Sequence, residues 1–168
     1  MRLTTFSDYS LRVLMYLGVH SERLATIGEI AGAYGISENH VMKVVHQLAQ
    51  RGYIETTRGK GGGMRLARRP EKIKIGEVVR GTEENLKLVE CFDKSTSNCH
   101  IAPACMLKGI LSSAMDEFFV VLDRHTLADL LVSGPKLARI LVLSTAGLRR
   151  GQTQPKRTRR VGGVFPAT

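Results

Sequence analysis

At 168 residues the chain is long enough to bury one core and short enough to argue against a second independent domain. Its 43% apolar and 24% charged content is globular, and with five Phe, four Tyr and no Trp the core must be mainly aliphatic. A net charge of +10 with pI near 10.0 points to a polyanionic partner, and no apolar stretch is long enough to span a bilayer, so a cytoplasmic protein is expected.

The charge is unevenly spread. Residues 134–168 carry eight Lys or Arg and no acid, residues 36–80 carry ten basic against four acidic side chains, and residues 81–133 carry four against eight. One segment of the body is therefore polarised toward an anion, and the next is not. The 134–168 stretch reads as a basic, disordered tail. It either adds salt-dependent affinity for nucleic acid or is a solvated extension.

In chain order, Ser7 is placed to cap a helix from Asp8 to about His20, with Leu11, Leu14, Met15 and Gly18 on one face. Thr26 and Glu29 form a capping-box pattern for a short helix ending near Tyr34, and Gly35 supplies a turn. Ser37 caps a third helix through about Arg51, in which Val41, Val44, Val45 and Leu48 make an apolar stripe. Two short helices joined by a glycine turn, the second with a polar outer face, make the helix-turn-helix pattern. Ser37, Asn39, His40 and Lys43 are its candidate base-reading side chains, since a recognition helix offers hydrogen-bonding groups from its first turns.

Residues 53–57 and 64–67 flank a glycine-rich tip over 58–63 and read as a hairpin, the wing of a winged helix. Arg58, Lys60 and Arg65 are the wing's candidate phosphate contacts, within a run that also holds Arg68, Arg69, Lys72 and Lys74. The glycines do not have P-loop spacing, and no helix opens after them. A further short helix is expected over 75–80, ended by Gly81, and residues 90–105 read as loop. From Met106 to about His125 a long helix carries an apolar stripe too broad for one small domain to cover, which predicts pairing with a second copy. The expected fold is mainly α with a small β-hairpin wing. Its divisions are a winged helix-turn-helix over 1–80, a ligand-bearing loop over 81–105, a dimerisation helix over 106–133 and the tail.

Cys91, Cys99 and Cys105 lie in that loop, with seven residues between the first pair and five between the second. Three thiolates so close in sequence suit a soft metal centre. The spacing is not that of a zinc ribbon, and buried structural cysteines, a thiol redox sensor and a Cys3His zinc site using His100 remain open. A cysteine-dependent enzyme is disfavoured, because His100 is the only candidate base near the cysteines in sequence.

Four motifs agree in order and spacing: the opening Met-Arg-Leu-Thr-Thr-Phe-Ser-Asp-Tyr-Ser, the Ile36-Ser-Glu-Asn-His-Val-Met-Lys helix, the Arg58-Gly-Lys-Gly-Gly-Gly wing and the three cysteines. Over about residues 1–133 the chain resembles the nitric-oxide-sensing repressors of the iron-sulfur winged-helix regulator family that includes IscR. The resemblance implies a homodimeric repressor of nitric-oxide detoxification genes on double-stranded operator DNA, with nitric oxide as signal. It implies an iron-sulfur cluster, [4Fe-4S] or alternatively [2Fe-2S], on Cys91, Cys99 and Cys105, with Asp8 of the partner subunit as fourth ligand. By its position alone, Asp8 is equally an acid that complements the dipole of its helix. The basic tail departs from the family pattern.

Overall fold

The computed structural model describes residues 2–93 and 97–141. Helix α1 (Thr5–Val19) begins earlier than the sequence suggests, because Thr4 rather than Ser7 is its cap: Thr4 Oγ1 accepts from the Ser7 amide at 3.2 Å. Ser7 is instead fully buried one turn in, and its hydroxyl meets that of Thr82 at 2.8 Å. Both residues are good N-caps, and the deeper one is drawn into the core by its partner.

Helix α2 (Ile27–Tyr34) carries the expected Thr26–Glu29 capping box and stops at Gly35, whose φ of 64° a side chain rarely adopts. Helix α3 (Glu38–Gln50) is capped by Ser37 and buries Val41, Val44, Val45 and Leu48 against α1 and α2. Strands β1 (Ile54–Thr57) and β2 (Gly63–Leu66) pair antiparallel with Ile54 opposite Leu66. The hairpin is tied to the helices by Ala25 and Met64, whose amides and carbonyls exchange hydrogen bonds of 2.9 and 2.8 Å. Two helices, a turn and a tethered hairpin make a winged helix-turn-helix.

Helix α4 (Ile75–Thr82) runs through Gly81 instead of ending there. Gly81 lies close to α3: a Cβ there would meet the mobile end of Arg51, and the Gly81 carbonyl accepts from Gln47. Among the described residues of 83–105 the chain is irregular apart from single 3-10 turns at Glu90–Phe92 and Ala102–Ala104. Helix α5 (Met106–Asp123) follows and has no buried residue, while Met106, Leu107, Ile110, Val120 and Val121 are exposed.

The chain then turns back onto the first half. Leu127, at the start of the short helix α6 (Leu127–Leu130), is fully buried, and its amide donates to the Ile73 carbonyl at 2.8 Å. Leu131 packs on Gly18, where any side chain would collide with it. The expectation of a disordered tail from 134 needs correction at its start, since residues 134–141 are helical and Leu137 and Leu141 pack into the same core. Two leucines one turn apart find an apolar surface on the winged helix, which outweighs the local Gly and Pro. The basic stretch beyond 141 lies outside the described residues. Leu127→Ala should lower stability by about 2–5 kcal/mol, read as a shifted urea midpoint with an unchanged slope.

Candidate nucleic-acid interface and cysteine segment

The outer side of α3 is presented by burying its apolar stripe. Ser37, Asn39, His40 and Lys43 are all exposed there, joined by His46, which the helical periodicity also puts on this polar face, and by Met42, which the sequence reading did not single out. Their signal was present in the helical spacing of 39, 42, 43 and 46. Ser37 spends its hydroxyl on the His40 amide, so its first role is to start the helix. His40 leans toward α1, its ring 6.1 Å from that of Tyr9. Among the described residues Lys43 has no ion-pair partner, which leaves its charge available to a phosphate.

The wing divides its basic residues into two kinds. Arg58 and Lys60 sit exposed at the tip, where Gly59 and Gly61 hold positive φ, and neither has an acidic partner among the described residues. Arg65 stands opposite Glu55 across the hairpin and pairs with it, a contact that only the strand register reveals. Arg68 is structural: it donates to the carbonyls of Arg51 and Gly52 and lies 4.9 Å from the centre of the Tyr53 ring. Arg69 pairs with Glu71. The sequence cluster is thus smaller as a free basic surface than its composition implies.

Asp8 lies in the first turn of α1 and forms an i,i+4 pair with Arg12 at 2.8 Å. The Arg12 guanidinium also lies 5.8 Å from the Tyr9 ring and 5.9 Å from that of Tyr34.

Cys91 lies in the 3-10 turn after Glu90, Cys99 follows the amide that Glu90 accepts from Asn98, and Cys105 precedes α5. All three thiols are free and partly exposed. Among the described residues no group of three or more His, Cys, Asp or Glu side chains is gathered as a metal set within this one chain. In type the donors nevertheless fit a soft centre: three thiols, none in a disulfide and none deeply buried, on a segment with little regular structure to resist rearrangement. His100 is exposed, and its Nδ1 lies 2.8 Å from the Asn98 carbonyl oxygen.

The cysteine segment leaves α4 at Glu83, which accepts from the Thr4 amide at 2.7 Å beside the Ser7–Thr82 contact. Helix α5, which follows the segment, is tied to α4 at its opposite, C-terminal end: Arg80 donates twice to Asp123, at 2.8 and 2.6 Å, and lies 4.3 Å from the centre of the Phe119 ring. These hydrogen bonds hold the Asp123 carboxyl below its ordinary pKa.

Against known proteins, residues 3–133 match the Rrf2 family model, described as an iron-dependent transcriptional regulator. The chain belongs to the Rrf2 family of transcriptional regulators. The HTH-type transcriptional regulator NsrR of Bacillus subtilis is 48% identical over 142 residues, covering 84% of this chain and 97% of that protein. Its counterpart from Geobacillus kaustophilus is 50% identical, with the same coverage. Among solved structures, T. potens IscR superposes with a TM-score of 0.63 at 29% identity over 78% of this chain and 86% of that one. CymR of B. subtilis gives 0.62 at 24% identity over 77% and 95%, a likeness of fold alone.

The winged helix-turn-helix reading is thus confirmed, and the chain is a DNA-binding transcription regulator rather than an enzyme. Among the described residues no helix is long and apolar enough to cross a membrane. Replacing Arg58 or Lys60 by alanine should lower the slope of log affinity against log salt by roughly 0.9 for each phosphate that the protein no longer neutralises. Binding isotherms across a salt series check this.

Proposed function

We propose that this Rrf2 regulator is a homodimeric, iron-sulfur-dependent repressor that leaves its operator when nitric oxide is present, and so controls nitric-oxide detoxification genes. The observation that carries the reading is three free, accessible cysteines on a segment that leaves the winged helix at Glu83, where Thr4 holds it, in a chain about half identical to regulators named NsrR.

Cys91, Cys99 and Cys105 would hold the cluster, [4Fe-4S] in preference to [2Fe-2S], and Asp8 would reach it across the dimer. When bound, the cluster supplies iron open to a small diatomic such as nitric oxide, most of all where a carboxylate is the ligand, since a carboxylate exchanges more readily than a thiolate. Asp8 suits that part: it is on the outside of α1, and the Arg12 pair that holds it is exposed and weak enough to give way.

The exposed apolar side chains of α5 provide the dimer face. Two-fold pairing there presents two α3 helices to successive major grooves, about 34 Å apart on the duplex. Releasing Asp8 alters the setting of α1, against which α3 packs. An allosteric coupling of about 1–3 kcal/mol would change operator affinity roughly 5- to 150-fold.

Anaerobically purified protein should be brown, contain iron and sulfide, and change its absorption on stoichiometric nitric oxide. Cys99→Ala should lose the iron while keeping the helical content. A colourless protein that iron and sulfide cannot reconstitute would move sensing to zinc or thiols and leave DNA binding standing. Asp8→Ala should retain the fold but weaken cluster retention or blunt the DNA response, and unchanged behaviour in both removes Asp8 from the ligand set. Sedimentation should give a dimer that Ile110→Asp dissociates.

A further inference from the structure

Ten large apolar side chains stand exposed among the described residues, and nine of them lie at or beyond Ile101, on or after the segment that leads into α5. The tenth is Met42, 49% exposed in the middle of the winged helix-turn-helix. The inward side of α3 is already filled by Val41, Val44, Val45 and Leu48, so Met42 adds nothing to the core. It shares the outward side with Asn39, Lys43 and His46, at the i, i+3, i+4 and i+7 spacing of one helical face. A single exposed thioether is ordinary on a protein surface, but at the centre of this polar face it is the one large apolar group, and burying it on an apolar group of a bound partner would be favourable.

The major groove offers one apolar group on its base edges, the C5-methyl of thymine, which cytosine lacks. Met is unbranched and polarizable and adapts its rotamers to such a contact. We propose that Met42 is a specificity-determining residue that reads a thymine methyl in each half-site. The neighbours fit this use. Asn39, one turn earlier, carries the amide that pairs with an adenine edge, and Lys43, with no ion-pair partner among the described residues, has its charge for the flanking phosphate. The inference rests on α3 being the DNA-reading helix.

The test uses the full chain. Binding sites are selected from a random duplex library, and each thymine of the selected site is then replaced singly by uracil, which removes only the methyl group. One thymine per half-site should lose roughly fourfold in affinity on replacement, the worth of one methyl-sized apolar contact. In Met42→Ala that same replacement should cost nothing further, and selection should relax from T toward T or C at that position. Met42→Gln, which keeps the length of the side chain, should behave like Met42→Ala. Both variants should keep the helical content and unfolding midpoint of the parent, since the side chain buries nothing in the core.

A uracil penalty that persists unchanged in Met42→Ala, or no penalty at any thymine, overturns the proposal while leaving α3 as the reading helix. Failure of the underlying reading has a different signature: the parent protein enriches no sequence, and the Met42 assignment falls with it.

Discussion

Ser7 and Thr82 meet through a 2.8 Å hydrogen bond between side chains that solvent does not reach, and this contact fixes α1 against α4. Two buried hydroxyls can be tolerated only because each is satisfied, Thr82 donating its one proton to the Val78 carbonyl one turn back and so accepting from Ser7. The small side chains allow the helices to approach closely, and the remaining elements take their places from that pair. Helix α3 packs on α1, the wing is tied to Ala25 between α1 and α2, and the returning chain buries Leu127 and seats Leu131 on Gly18. Helix α3 and the start of the cysteine segment are thereby mounted on the α1–α4 pair.

Local chemistry made the winged helix legible from sequence. The Thr26–Glu29 box, Gly35, the Ser37 cap and the valine stripe of α3 are short-range signals that the tertiary structure reinforces. What was not legible depends on partners distant in the chain. The cap moved from Ser7 to Thr4 because Ser7 is claimed by Thr82 some 75 residues away. Helix α6 and the 134–141 turns are too short to declare themselves, and they exist because Leu127, Leu137 and Leu141 find an apolar surface already built. Arg65 and Arg68 looked like free basic residues, until the register brought Glu55 opposite one and the β1 entry brought two carbonyls and Tyr53 to the other.

The candidate site divides the same way. Positions on α3 follow from helical periodicity, so Asn39 and Lys43 were readable, and Met42 was readable too, though an apolar residue at an outward position is easily taken as core. The cysteines are different in kind. Their spacing brings three thiols into one segment, but no periodicity governs an irregular loop, and their mutual placement is not a property of the sequence pattern.

The arrangement around α4 says how a change at the cysteines would be felt at the DNA. The segment leaves α4 at Glu83, which holds the N-terminus of α1 through Thr4, so reshaping it loads that contact. It ends at the N-terminus of α5, whose opposite end Asp123 holds to Arg80 of α4. The second route runs through Asp8. Its partner Arg12 stands against Tyr9 and Tyr34, and Tyr9 stands beside His40 in the first turn of α3. On the proposed reading, an Asp8 drawn to the partner subunit leaves Arg12 without its counter-charge, and Arg12 must settle anew against rings that border the reading helix. The exposed Asp8–Arg12 pair contributes little to stability, which is what allows it to be exchanged. The buried Ser7–Thr82 bond one residue earlier is not exchangeable and gives that movement a fixed pivot.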